Sequence, residues 1–280
     1  MIEKRNIPLM LVSWLVILVL VVLTVYPVFY ALMGSLKTNQ ELQLGRNLLP
    51  RIPQWENYKR AFIDAHFLRY SLNSVIASVG TMLIAMLATS MAGYVLGRFD
   101  FAGKRLINIS YGAMMFVSIG AVALFPIMRM LDVIHLSNTM FSLILVLTGS
   151  QIVNIFLVRS FVQSVPRELD EAACIDGCSI FRTYWRIILP LIKPILAVVG
   201  LFTFRNTWND YITTLIMTMS NKGLTTLTVA VVQLKYSNMA AVEWHVMLAG
   251  ASLAILPVLI LYFFTSKQFI SGMMAGAVKG

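Results

Sequence analysis

Charged side chains are few in this sequence, and the long polar interruption in the middle of it lies between Ser164 and Pro194, in SVPRELDEAACIDGCSIFRTYWRIILPLIKP. That stretch holds Glu168, Asp170, Glu171 and Asp176, four of the twelve acidic residues, with Arg167, Arg182, Arg186 and Lys193 beside them. It also holds both cysteines, Cys174 and Cys178. Their C-x3-C spacing is neither a redox motif nor half of a zinc site, so they read as free thiols in a reducing compartment. A second polar group, Arg205, Asn206, Asn209 and Asp210, interrupts an apolar run from Ile195 to about Ser220. At membrane depth an ionisable group costs at least ~2.5 kcal/mol unless it faces the bundle interior or water, so these four are expected to point inward. Either they glue helices together or they line a polar passage. On an ideal helix Arg205 and Asp210 would stand about 140° apart, which gives each a different partner. Catalysis is not indicated, because no G-x-S-x-G, H-E-x-x-H or cluster of His with acids occurs. His135 reads as an interfacial histidine, and no metal site is expected.

The elements that must hold these groups are membrane spans. The chain of 280 residues is 59% hydrophobic and 12% charged, with mean hydropathy +0.80, whereas a soluble domain is about a quarter charged. An all-α polytopic membrane protein follows. The net charge of +10 does not imply nucleic acid, since Lys and Arg are scattered between apolar runs instead of forming one stripe.

Six spans are expected. The first is the uncharged run Asn6–Leu36, long enough because ~20 apolar residues cross the hydrocarbon core. Lys4 and Arg5 resemble a signal-peptide start, yet the run is too long and no small-residue cleavage site follows, so it is expected to be retained with its N-terminus inside. The others are Tyr70–Gly97, Leu106–Met128 with Pro126 near its outer end, Asn138–Val158, Ile195–Ser220, and Trp244–Ser266 with a kink at Pro257. Alternation places the polar connections Gly34–Arg69 and Asn221–Glu243 outside. It places the basic loop around Lys104, the Ser164–Pro194 stretch and the tail from Lys267 inside. Twelve of the 22 Lys and Arg then fall inside and nine outside, a modest bias of the expected sign. Gly97 to Lys104 is not a phosphate-binding loop, since Arg105 stands where Ser or Thr should bind Mg²⁺.

Within the polar stretch, Pro166 suits a first helical turn and the three following acids favour the positive helix end. Gly177 can take the left-handed conformation that closes this helix. Ser179 can cap a second one, Ile180–Ile188, which Pro190 should stop.

Glu171-Ala172-Ala173, then Gly177, Ile187 and Leu189-Pro190 at their spacings resemble the EAA loop of the transmembrane subunits of binding-protein-dependent ABC importers. Further likenesses run along the chain: Asn57-Tyr58, Asn73-Ser74, AGYVLGRFDFAGK at the end of the second span, Trp208-Asn209-Asp210, and a terminal AGAVKG similar to maltose-type permeases. The resemblance implies a type I ABC importer permease fold over residues 1–280, with 164–194 as a cytoplasmic helix-turn-helix coupling loop and 267–280 as a cytoplasmic tail. It implies that Glu171, Ala172, Ala173, Asp176, Gly177, Leu189 and Pro190 meet an ATPase subunit. Arg205, Asn206, Trp208, Asn209 and Asp210 become candidates for the translocation path, although Arg205 lies outside the matching element. The implied partners are a second homologous permease as a heterodimer, two cytoplasmic ATPase subunits that carry ATP and Mg²⁺, an extracytoplasmic solute-binding protein and the lipid bilayer. The chain itself would hold no cofactor and catalyse no reaction. It would sit in a bacterial or archaeal cell membrane and pass a sugar or oligosaccharide. The alternatives are a glycerol-phosphate importer, which shares these motifs, and an ion-coupled secondary transporter using Arg205, Asp210 or Asp132.

Overall fold

The computed structural model describes residues 7–45, 47–64, 66–116, 120–149, 151–236 and 242–277, and among these every regular element is helical. In chain order they are α1 (Ile7–Ser35), α2 (Asn39–Leu44), α3 (Glu56–Asp64), α4 (Phe67–Arg98), α5 (Lys104–Phe116), α6 (Leu124–Val133), α7 (Met140–Thr148) and α8 (Ile152–Ser164). Then follow α9 (Glu168–Ile175), α10 (Ile180–Thr183), α11 (Leu189–Leu191), α12 (Lys193–Asn209), α13 (Ile212–Thr218), α14 (Leu227–Gln233) and α15 (Trp244–Ala277). Lys4, Arg5 and the last three residues of the terminal motif lie outside the described residues.

Among the described residues, α1 and α4 are each long and apolar enough to cross a membrane. Two bent pairs also qualify, α7 with α8 at 58° and Ile180–Leu191 with α12 at 77°. The first two expected spans therefore coincide with single helices, while three later ones are broken. Leu106–Met128 is not one helix: α5 ends at Phe116, and Gly120, at φ 60°, opens a short 3-10 turn before α6. Pro126 falls in the first turn of α6, where its missing N–H needs no partner and no kink results. The fourth expected span ends α7 at Gly149 and resumes in α8. The fifth stops at Asn209, because Asp210 takes an extended backbone (ψ 126°).

The chain divides into two compact units, one comprising residues up to Leu68 with Ala230–Leu256, the other Arg69–Val229 with the chain from Pro257. In the first, the apolar window of α1 has none of its residues buried, so this surface is left for lipid or another polypeptide. Its end is held by hydrogen bonds. Buried Asn57 donates from Nδ2 to the carbonyls of Ser35 (2.8 Å) and Lys37 (2.9 Å), and Tyr58 shares a 2.7 Å hydrogen bond with Ser35 Oγ. Arg60 grips both oxygens of Glu243 at 2.9 and 2.8 Å. The Asn57-Tyr58 pair is thus a tether for the end of α1.

In the second unit, the neighbouring pair works in the same way. Asn73 Nδ2 donates to the carbonyls of Gly223 and Thr225, both at 2.9 Å, and Ser74 Oγ accepts from Leu227 N at 2.8 Å. The core joins Tyr94 of α4, Val158 and Val162 of α8, Tyr184, Ile188 and Ile192 of the polar stretch, and Ile195, Leu196, Val198 and Val199 of α12. Glycines let α4 and α8 approach closely. A Cβ on Gly93 would stand 2.6 Å from Val158 Cγ1 and 3.0 Å from the backbone N of Arg159.

Candidate functional site

The polar stretch folds as two helices about a tight turn. Helix α9 begins at Glu168 with Glu168, Asp170 and Glu171 in its first turn. It closes in a Schellman motif: Gly177, at φ 74°, donates its N–H to Cys174 O (3.0 Å), and Cys178 N donates to Ala173 O (2.9 Å). Ser179 then caps the next helix by accepting from Arg182 N. These expectations hold, but the stop at Pro190 does not. The helix widens into a π-turn over Tyr184–Ile188, carries Pro190 in α11, and breaks only at Ile192. A tight α-turn would drive the proline ring into the carbonyl four residues back. The widened turn relieves that clash.

The seven motif residues separate into two surfaces. Glu171, Ala172, Asp176, Gly177 and Pro190 are exposed, Leu189 is half-buried, and Ala173 is buried. Beside the exposed acids stand apolar side chains that this chain does not cover: Ile175 is 87% exposed, Ile180 61% and Phe181 62%. Tyr184, on the opposite face, is 3% exposed and bonded to Ser90. Cys174 is exposed and Cys178 half-buried, both as free thiols.

Beside this surface, in a pocket that Glu171 and Ile180 also line, lies a cluster that the sequence did not reveal. Arg98, the last residue of α4, forms a 3.0 Å ion pair with Asp170, and Tyr94 donates to the same carboxylate at 3.1 Å. Nothing local could signal it, since 72 positions of chain separate Arg98 from its partner. Lys104, by contrast, pairs locally with Asp100 at 2.8 Å and holds that carboxyl below the usual carboxylate range.

The second candidate group divides. Trp208 is 2% exposed and stacks on Phe204 with centroids 5.7 Å apart, so it belongs to the core. Arg205, Asn206 and Asn209 are exposed, as groups too polar to bury without partners must be. Asn209 Nδ2 returns to the Arg205 carbonyl at 3.0 Å. The ideal-helix angle between Arg205 and Asp210 does not apply, because the helix ends between them. Asp210 instead starts α13, its Oδ1 accepting from Thr214 N (2.8 Å) and Oγ1 (3.0 Å). Asn206 and Asp210 line a cleft of ≈ 470 Å³ with Gln151, Thr203, Thr207 and Thr213, within the about 300–1,000 Å³ usual for small-molecule sites. Asn154 Nδ2 bridges Gln151 Oε1 and Thr203 Oγ1. Gln151, Asn154 and Thr203 belong to none of the motifs or polar groups that the sequence singles out. Their signal was an amide pair at i, i+3 inside an expected span.

Residues 85–273 match the family described as the binding-protein-dependent transport system inner membrane component. The chain belongs to this family. It is a membrane-embedded transport component. Among curated relatives of this permease, a putative ABC transporter permease protein, ORF2, of Caldicellulosiruptor sp. (strain Rt8B.4) is 36% identical over 91% of each chain. The arabinooligosaccharides transport system permease protein AraQ of Bacillus subtilis (strain 168) is 31% identical over 94% of this chain and 93% of the relative. The permease fold is also that of a chain from a bacterial ABC transporter involved in the import of the acidic polysaccharide alginate. The TM-score is 0.81 at 21% identity, over 96% of this chain and 99% of that one.

Proposed function

We infer that this permease is one of two membrane subunits of an ATP-driven importer, passing a sugar or oligosaccharide handed over by an extracytoplasmic binding protein. The observation that carries the reading is the Schellman-closed turn that presents Glu171, Asp176, Ile175, Ile180 and Phe181 outward, in a chain without a nucleotide motif. Apolar groups exposed beside acids suit burial against a partner. That partner is a cytoplasmic ATPase, one copy beneath each permease, and ATP with Mg²⁺ binds there. Carbohydrate is favoured by the relatives named for arabinooligosaccharides and maltodextrin and by the cleft itself. Its amides and hydroxyls match sugar hydroxyls, and among the described residues no Lys or Arg lines it to receive the phosphate of a glycerol phosphate. Tagged permease purified from membranes should bring down a second permease and an ATPase whose hydrolysis rises with sugar-loaded binding protein. Uptake by this chain alone in ATP-free liposomes under an ion gradient would instead establish a secondary transporter.

Six spans with both ends inside set a topology that labelling can check. Cysteines introduced at exposed Gln40 and Lys222 should react with an impermeant maleimide in sealed right-side-out vesicles. Native Cys174 and Cys178 should react only after permeabilisation, in membranes stripped of ATPase. Reaction of either native thiol in sealed vesicles would overturn the arrangement.

The polar rim of α12 is the translocation surface of this subunit, with Asn206 and Asp210 in the cleft, Arg205 and Asn209 beside it, and Trp208 packing behind. Asp210→Asn keeps the acceptor for Thr214 and removes the charge, and Asn209→Ala removes an amide bonded only within its own turn. Both variants should assemble and melt like the parent while losing uptake severalfold. Unchanged uptake per assembled complex in both would rule this surface out.

A further inference from the structure

We propose that Tyr94, Arg98 and Asp170 form a latch through which movement of the Ser164–Pro194 segment passes into α4, making the second span the lever of this subunit. The proposal rests on the ATPase-docking reading above and adds the route by which force leaves the docked segment. One face of α4 grips that segment at three heights. At the helix end, Arg98, its side chain 5% exposed, pairs with Asp170 and donates from Nη2 to the carbonyls of Val165 (2.8 Å) and Pro166 (3.3 Å). One turn earlier, Tyr94 donates to Asp170 Oδ1. A further turn back, Ser90 shares a 2.6 Å hydrogen bond with Tyr184 in the helix after the turn.

These contacts fix both arms of the helix-turn-helix to a single rigid rod. The bonds of Arg98 to the two carbonyls and of Tyr94 to the Asp170 carboxylate are charge-assisted, the strong kind, while Arg98 Nε and Asp170 Oδ2 meet as an ion pair without hydrogen-bond geometry. Asp170 and Glu171 are neighbours on one turn of α9, yet Glu171 is exposed while Asp170 faces α4. The surface that would be pushed and the surface that holds therefore adjoin, Glu171 and Ile180 lining the same pocket as Tyr94, Arg98 and Asp170. The covalent route onward to α12 does not run straight, since it crosses the π-turn and the 77° break at Ile192. Gly93 and Gly97 press the same end of α4 onto α8, so displacement of α4 carries α8 with it.

Arg98→Gln, Asp170→Asn, Tyr94→Phe and the charge swap Arg98→Asp with Asp170→Arg test the latch in the complete importer reconstituted in proteoliposomes. ATPase retention, ATP hydrolysis and sugar uptake are read on the same preparations. The Arg98 and Asp170 single variants should retain the ATPase and hydrolyse ATP while uptake per ATP falls about tenfold, and the swap should recover much of that loss. Tyr94→Phe, which leaves the ion pair in place, should lose less. Wild-type uptake per ATP in Arg98→Gln and Asp170→Asn would overturn the latch. So would loss of the ATPase from every variant, Tyr94→Phe included, since the cluster would then serve docking alone. The docking reading fails by a different result, normal transport in Glu171→Lys complexes.

Discussion

Gly177→Pro is expected to abolish transport while the permease still inserts into the membrane. Proline fixes φ near −65°, whereas Gly177 sits at +74°, so the turn between α9 and α10 cannot form. The substitution also removes the N–H that Gly177 donates to Cys174 O. A proline in so incompatible a position costs about 3 kcal/mol or more. That cost falls on a surface segment, so the bundle should survive. Gly177→Ala separates backbone strain from loss of space. No atom lies within 4 Å of an added Cβ, the N–H is kept, and the left-handed conformation costs roughly 1–2 kcal/mol. A partial loss of uptake and of ATPase copurification is expected there. Normal uptake by Gly177→Pro complexes would remove the turn from the docking surface.

The largest loss of stability is expected from Gly93→Val. Even the Cβ of an alanine would meet Val158 Cγ1 at 2.6 Å, Val158 Cβ at 2.8 Å and the Arg159 backbone N at 3.0 Å, and a backbone atom cannot rotate away. Overpacking of this kind costs about 1–3 kcal/mol, and the branched methyls of valine add to it. Gly97→Ala should be milder, its nearest contact being Val162 Cγ1 at 3.1 Å. Gly112→Ala is the control, because nothing lies within 4 Å of that Cβ. Melting temperatures of the solubilised complex should fall in the order Gly112→Ala, Gly97→Ala, Gly93→Ala, Gly93→Val. Equal melting of Gly93→Ala and Gly112→Ala would show that α4 and α8 do not meet as described.

Local chemistry was legible in the sequence. Uncharged runs announced α1 and α4, since length and apolarity alone decide whether a helix can span the hydrocarbon core. Gly177 and Ser179 announced the turn, because a left-handed glycine and a hydroxyl cap act within a few residues of themselves. What depends on partners distant in the chain was not legible. Pro190 was expected to end a helix, yet a π-turn before it lets the helix run on to Ile192. Asp210 was expected inside a continuous span and instead begins α13, through contacts with Thr214 that only a broken helix permits. Trp208 matched a motif beside polar neighbours but faces the core, and Asn57 and Asn73 matched motifs whose role is to tie loops to helix ends. The pairing of Arg98 with Asp170 and the seating of Gly93 on Val158 arise only when α4, α8 and α9 are brought side by side. The sequence alone determined which segments are apolar and where the chain turns; the tertiary structure decided which polar groups are paired, because a charge is satisfied by what lies next to it in space.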